Sequence, residues 1–194
     1  EQDGYGFVGA GLRLESGDQA SAMVIDGFTQ LDEEFDLADR IPVPVGRYDF
    51  RQVQVSAESS PSRPLSLSAM ATLADQWDGE VDSLRTALRV AIGSHFEAGP
   101  TWTVSRADLP EGGFTAHVVG LRVGWAFSTR LFARAYVQYN SLDDKWITNL
   151  RLNFIHRPGS DIYVVVNDDQ GEEGAPGRLV SRGFAVKGTW LIRF

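Results

Sequence analysis

Hydrophobic and polar residues alternate along most of this chain with a period of two, the spacing of a β-strand, and not the three-to-four spacing of a helix. Over 184–194, Phe184, Val186, Gly188, Trp190, Ile192 and Phe194 stand against Ala185, Lys187, Thr189, Leu191 and Arg193. Over 146–156, Trp146, Thr148, Leu150, Leu152 and Phe154 oppose Ile147, Asn149, Arg151, Asn153 and Ile155. Leu131, Ala133, Ala135, Val137 and Tyr139 likewise oppose Phe132, Arg134, Tyr136 and Gln138. Val119, Leu121, Val123, Trp125 and Phe127 oppose Gly120, Arg122 and Gly124. Over 84–96 the sets are Leu84, Thr86, Leu88, Val90, Ile92 and Phe96 against Arg85, Ala87, Arg89, Gly93 and His95. Each stretch predicts a strand with one apolar face, and arginine recurs on the other.

Weaker alternation predicts further strands near 5–14, 20–30, 47–57, 64–74, 100–107 and 161–167, about eleven in all. Only 29–38, with Leu31, Phe35 and Leu37 among acids, reads as a short loop helix. One set of connections is tight, at 15–19, 59–63, 97–100, 128–129 and 158–160, where Pro158 and Gly159 favour a turn. The alternate set, at 31–46, 75–82, 108–112, 141–144 and 168–181, is longer and holds 17 of the 26 acidic residues, so negative charge gathers at one rim.

Tight turns at one end and longer loops at the other outline an up-and-down barrel of the outer-membrane kind, whose strands need only about 9–11 residues to cross. A soluble barrel or sandwich shows the same alternation with its apolar face inward. Three features favour the membrane. Trp125 and Phe127 at a turn end, and Tyr139 and Trp146 at a loop end, predict two aromatic girdles. The polar face carries Arg, Asn, Gln and Gly, with Lys145 and Lys187 the only lysines. The ending on Phe194, with Ile192, Trp190 and Val186 behind it, resembles the C-terminal signal by which barrels are recognised for assembly. The expected fold is therefore all-β: an antiparallel up-and-down transmembrane β-barrel with about 10–12 strands here, the 194 residues forming one domain or a portion of one. An odd strand count, and an N-terminus without the character of a signal peptide, suggest the C-terminal part of a larger barrel.

A net charge of −8 opposes nucleic-acid binding, and the lack of cysteine removes thiolate nucleophiles and disulfides. With 43% apolar and 23% charged residues the chain has a folded composition.

Several words resemble a specific group: VPVGRYDF (43–50), SRPLSLS (62–68), ADLPEGGFTAHVVGLRVGWAFSTRLFARAYVQYNS (107–141), NLRLNFIHRPGSDIYVVVND (149–168) and VKGTWLIRF (186–194). They are similar to the C-terminal barrels of bacterial outer-membrane proteins that carry an N-terminal carbohydrate-binding-family-9-like module. The resemblance covers about the last 150 residues. It implies a barrel of unassigned function in a Gram-negative-type outer membrane. Members are often labelled hydrolases, but no catalytic motif maps onto these positions.

The chemistry-bearing residues are few. His95, His117 and His156 would form a metal site only by converging from different strands. The run 168–173 lacks the ligand spacing of an EF-hand and reads as a solvated loop. Asp26, Asp49 and Asp161 do not declare a carboxylate pair from sequence. No catalytic, cofactor or metal residue is assigned. Arg85, Arg89, Arg122, Arg134 and Arg151 are the suggestive cluster. On neighbouring inward faces they form either a selectivity-setting positive strip or wall-stiffening ion pairs, extended by Tyr136, Gln138, Asn149 and Asn153.

The expected function is an integral outer-membrane barrel with an anchor, transport or scaffold role and no catalysis in this segment. Its expected partners are outer-membrane lipid, lipopolysaccharide and the barrel-assembly machinery, with saccharide reached through an N-terminal module. The alternatives are a soluble carbohydrate- or lipid-binding barrel, and a barrel attached to a carbohydrate-active hydrolase.

Overall fold

The computed structural model describes residues 2–157, 160–170 and 179–191. The strands are β1 (Gln2–Arg13), β2 (Gln19–Leu31), β3 (Phe35–Leu37), β4 (Ile41–Val43), β5 (Gly46–Glu58), β6 (Leu65–Gln76), β7 (Gly79–Ile92), β8 (Phe96–Leu109), β9 (Gly112–Ala126), β10 (Leu131–Asn140), β11 (Lys145–Arg157), β12 (Ser160–Gln170) and β13 (Leu179–Thr189). Eleven of them form one sheet in the order β1-β2-β5-β6-β7-β8-β9-β10-β11-β12-β13, while β3 and β4 pair separately. Neighbouring strands pair antiparallel, so the architecture is an all-β, up-and-down sheet. Among the described residues no ladder joins β1 to β13, and the expected barrel is not closed. No helix is present among them, and none is long and apolar enough to cross a membrane, which says nothing about crossing by strands.

Contacts divide the chain into two compact units. The first comprises Glu1–Ser60, Leu67–Thr86 and Thr103–Ala116. In it, the register β2–β5–β6 aligns Ala20, Ala22 and Val24 with Val53, Val55 and Ala57, and these with Ala69, Ala71 and Leu73. This apolar face gives way at one end to Asp26, Arg51 and Asp75 on a single rung. Its core is small and lies toward that end: Leu31, Ile41, Val43, Tyr48 and Leu109, flanked by Phe35, Leu37, Trp77, Val81 and Phe114.

The segment expected as a loop helix is instead the end of β2 followed by the β3–β4 hairpin, because its apolar residues find partners across a turn: Phe35 faces Val43 and Leu37 faces Ile41. Tyr48 belongs to the polar-face parity of β5, and its hydroxyl donates to the Pro44 carbonyl at 2.9 Å. The hairpin and the polar face of β5 thus share one apolar cluster.

The second unit comprises Pro61–Ser66, Ala87–Trp102 and His117–Phe194. Ladders through β9, β10, β11, β12 and β13 align Val123, Ala135, Leu150, Val166 and Phe184 on one face. Trp125, Ala133, Leu152, Val164 and Val186 form the next rung of that face. The expected turn at 97–100 moves to 93–95, where Gly93 takes φ +58°, and Pro100 lies within β8. The alternation of loop length also needs correction. The β6–β7 and β8–β9 connections, expected to be long, span only 77–78 and 110–111, and Trp77 and Asp78 take φ +54° and +60°.

Candidate functional site

The apolar face of the second unit is open to its surroundings. Trp190 is 58% exposed, Leu150 44% and Leu152 42%. Trp125 stacks on Phe127 at 5.4 Å, and Tyr139 lies 4.9 Å from Trp146. The expected girdle residues therefore meet in two separate pairs at opposite strand ends. Trp102 and His117 stack at 6.1 Å, and the His117 backbone N–H donates to Ser141 Oγ beside the β10 end. This places them with Tyr139 and Trp146. At the other end Phe96 meets Trp125 edge-on at 5.5 Å, and Trp190 stacks on His156 at 5.7 Å.

That Trp102 and His117 join this aromatic row was not legible, because only the β8–β9 stagger sets their position along the strands. Of the expected assembly residues, Val186 lies opposite Val164 on the apolar face and Trp190 on His156, while Ile192 and Phe194 fall outside the described residues.

The polar face of the same unit holds a concavity of about 770 Å³ whose lining includes Arg89, Arg122, Arg134, Arg151, Tyr136 and Asn149. Four of the five expected arginines thus come together. Arg85 is exposed on the same face of β7 but belongs to the first unit. The rungs are set by register: Gly124, Arg134 and Arg151 on one, Arg122, Tyr136 and Asn149 on the next. Arg89 pairs with Glu97 at 3.0 Å and donates to the Pro61 carbonyl at 3.1 Å. Arg122 lies over the Tyr136 ring at 5.0 Å. Tyr136 in turn donates to Gln138, and Asn149 to Asn167. Arg122, Arg134 and Arg151 form no ion pair with a carboxylate among the described residues.

The other sequence candidates do not assemble. His95 lies in the β7–β8 turn, where its Nδ1 is 3.4 Å from Ser94 Oγ, and His117 and His156 are spent on aromatic stacking. No group of metal-ligating side chains occurs among the described residues. Asp26 pairs with Arg51 at 2.7 Å and Asp49 with Arg47 at 3.6 Å. Asp168 pairs with Arg182 at 3.2 Å, and the rest of its acidic run from 171 onward lies outside the described residues. No family model, curated protein or solved structure matches this chain.

Proposed function

We propose that this chain is the transmembrane β-barrel portion of a bacterial outer-membrane protein, an anchor, conduit or scaffold with no catalysis in this segment. The carrying observation is the aligned, exposed apolar face of β9 to β13 between two aromatic rows. Exposed to water, so large a patch would drive aggregation; set against lipid tails, it is satisfied. The height agrees. From His156, on which Trp190 stacks, to Trp146 is ten residues of β11. At about 3.4 Å each this is about 34 Å of strand, or about 26 Å of bilayer at a tilt near 40°. The apolar band of outer-membrane barrels is about 25 Å tall. The arginines and amides of the other face would then line a lumen, and the sheet would close through strands beyond those described. The family resemblance of the quoted words points the same way.

The test is reconstitution with tryptophan as reporter. Single-tryptophan variants retaining Trp125, Trp146 or Trp190 are expected to refold only in detergent or bilayers and to be quenched by brominated acyl chains. The variant retaining Trp77, inside the hairpin cluster, is expected to resist quenching. A monodisperse chain in plain buffer with unquenched Trp190 would overturn the reading in favour of a soluble barrel.

A further inference from the structure

The arginine-lined concavity carries an inference independent of where the chain resides. We propose that it binds a small organic oxyanion, a sugar-sized solute bearing a carboxylate or phosphate, gripped between Arg134 and Arg151 with Arg122 alongside.

Charge gives the first reason. Arg134 and Arg151 are direct cross-strand partners on β10 and β11, and like charges in that position destabilise a sheet. Five other arginines, Arg47, Arg51, Arg89, Arg106 and Arg182, each meet a carboxylate within 3.6 Å. Arg122, Arg134 and Arg151 meet none among the described residues, although the chain carries 26 acidic residues against 18 basic ones. An oxyanion between two guanidinium forks supplies the missing charge through short, charge-assisted hydrogen bonds.

Space gives the second. The rung partner of Arg134 on its other side is Gly124, and a Cβ built there meets nothing within 4 Å. The concavity, about 770 Å³, falls within the range of small-molecule sites.

The neighbouring rungs give the third and set the ligand class. Tyr136 is held from above by Arg122 and at its hydroxyl by Gln138, Asn149 stands beside it, and Phe132 lines the same hollow. A held tyrosine ring, a second aromatic ring and amides beside paired arginines match a solute with an apolar ring face, hydroxyls and one anionic group, whereas a bare ion would use only the arginines.

The experiment is calorimetric titration of the full chain, refolded in nonionic detergent, with glucuronate, glucose 6-phosphate, inorganic phosphate and glucose. The two sugar anions are expected to bind, and glucose to bind at least about tenfold more weakly, the size of one charge-assisted contact. Arg134→Gln and Arg151→Gln are each expected to lose about tenfold or more, and the lysine variants to retain more affinity than the glutamine ones. Gly124→Leu, which keeps every charge, is expected to lose binding by filling the hollow. Without ligand, the glutamine variants are expected to melt higher than the parent, since the like-charge rung is relieved.

Equal binding of glucose and glucuronate, parental affinity in Arg134→Gln/Arg151→Gln, or inorganic phosphate binding as tightly as the sugar anions would each overturn the proposal. Should the variants fail to refold, the unmodified chain decides: a melting temperature raised by glucuronate and not by glucose supports it, and no difference overturns it. A detergent-independent chain that still binds sinks the membrane reading alone, and a detergent-requiring chain that does not bind sinks this one alone.

Discussion

At the residue scale, the β6–β7 turn shows how packing overrides backbone preference. Trp77 and Asp78 both adopt positive φ, a region that costs an ordinary side chain roughly 1 kcal/mol and that hairpins usually fill with Asn-Gly. Trp77 tolerates it because its ring meets Phe35 edge-on at 5.4 Å within the hairpin cluster. Asp78 is not one of the apolar members of that cluster, although its charge lies close enough to act on Tyr48. Asp78→Gly is therefore expected to stabilise the chain by about 1 kcal/mol, raising its melting temperature by a few degrees. The next residue behaves oppositely. A Cβ on Gly79 would stand 2.3 Å from the Asp108 carbonyl oxygen, so Gly79→Ala is expected to cost about 3 kcal/mol or more in the same melting experiment. The sequence carries a turn dipeptide here, Asp78-Gly79, but one residue away from the Trp77-Asp78 loop that forms, and the acids around it suggested a longer connection.

At the element scale, the β3–β4 hairpin is latched by Tyr48. Burial raises the pKa of its phenol, and the negative charges of Asp78 and then Glu111 raise it further. A raised folded-state pKa means the contribution is fully present below the ordinary tyrosine value of about 10 and is lost as pH rises through the folded value. Deprotonation also removes the donor to Pro44. Near-ultraviolet circular dichroism of Trp77 is expected to collapse above about pH 10 in the parent, while Tyr48→Phe, less stable at neutral pH, shows no matching step.

The hairpin was not legible because Leu31, Phe35 and Leu37 among acids also fit a helical stripe, and only Ile41 and Val43 across the turn decide between the two. The long strands were legible because alternation is local. The arginine face was legible for the same reason, since parity alone puts Arg89, Arg122, Arg134 and Arg151 on one side. Which arginine faces which was not, since register is set by turns the sequence marks weakly: Pro100 drew the expected β7–β8 turn to 97–100, whereas Gly93 makes it.

At the scale of the whole molecule, the division of faces governs what the surface tolerates. Leu150 lies mid-strand on the apolar face, between Ala135 and Val166, and Asn149 beside it faces the other way. Leu150→Arg is expected to cost about 2–4 kcal/mol of folding stability in a bilayer, read by urea titration with a gel-mobility assay. Asn149→Arg in the same assay is expected to cost far less. Barrel closure could not be read from alternation, because a strand's pattern reports its own two faces and carries no information about its edges.

Those edges impose their own demand. The twelve residues of β1 offer one row of amides and carbonyls to β2, and among the described residues no strand takes up the other row. In hydrocarbon every such unsatisfied group costs several kcal/mol, a debt no side chain on this strand can discharge. On the membrane reading proposed above, the outermost ribbon would be a template: whichever segment docked along it, from the same polypeptide or from a neighbour, would decide whether the finished object is a ring of one chain or of several.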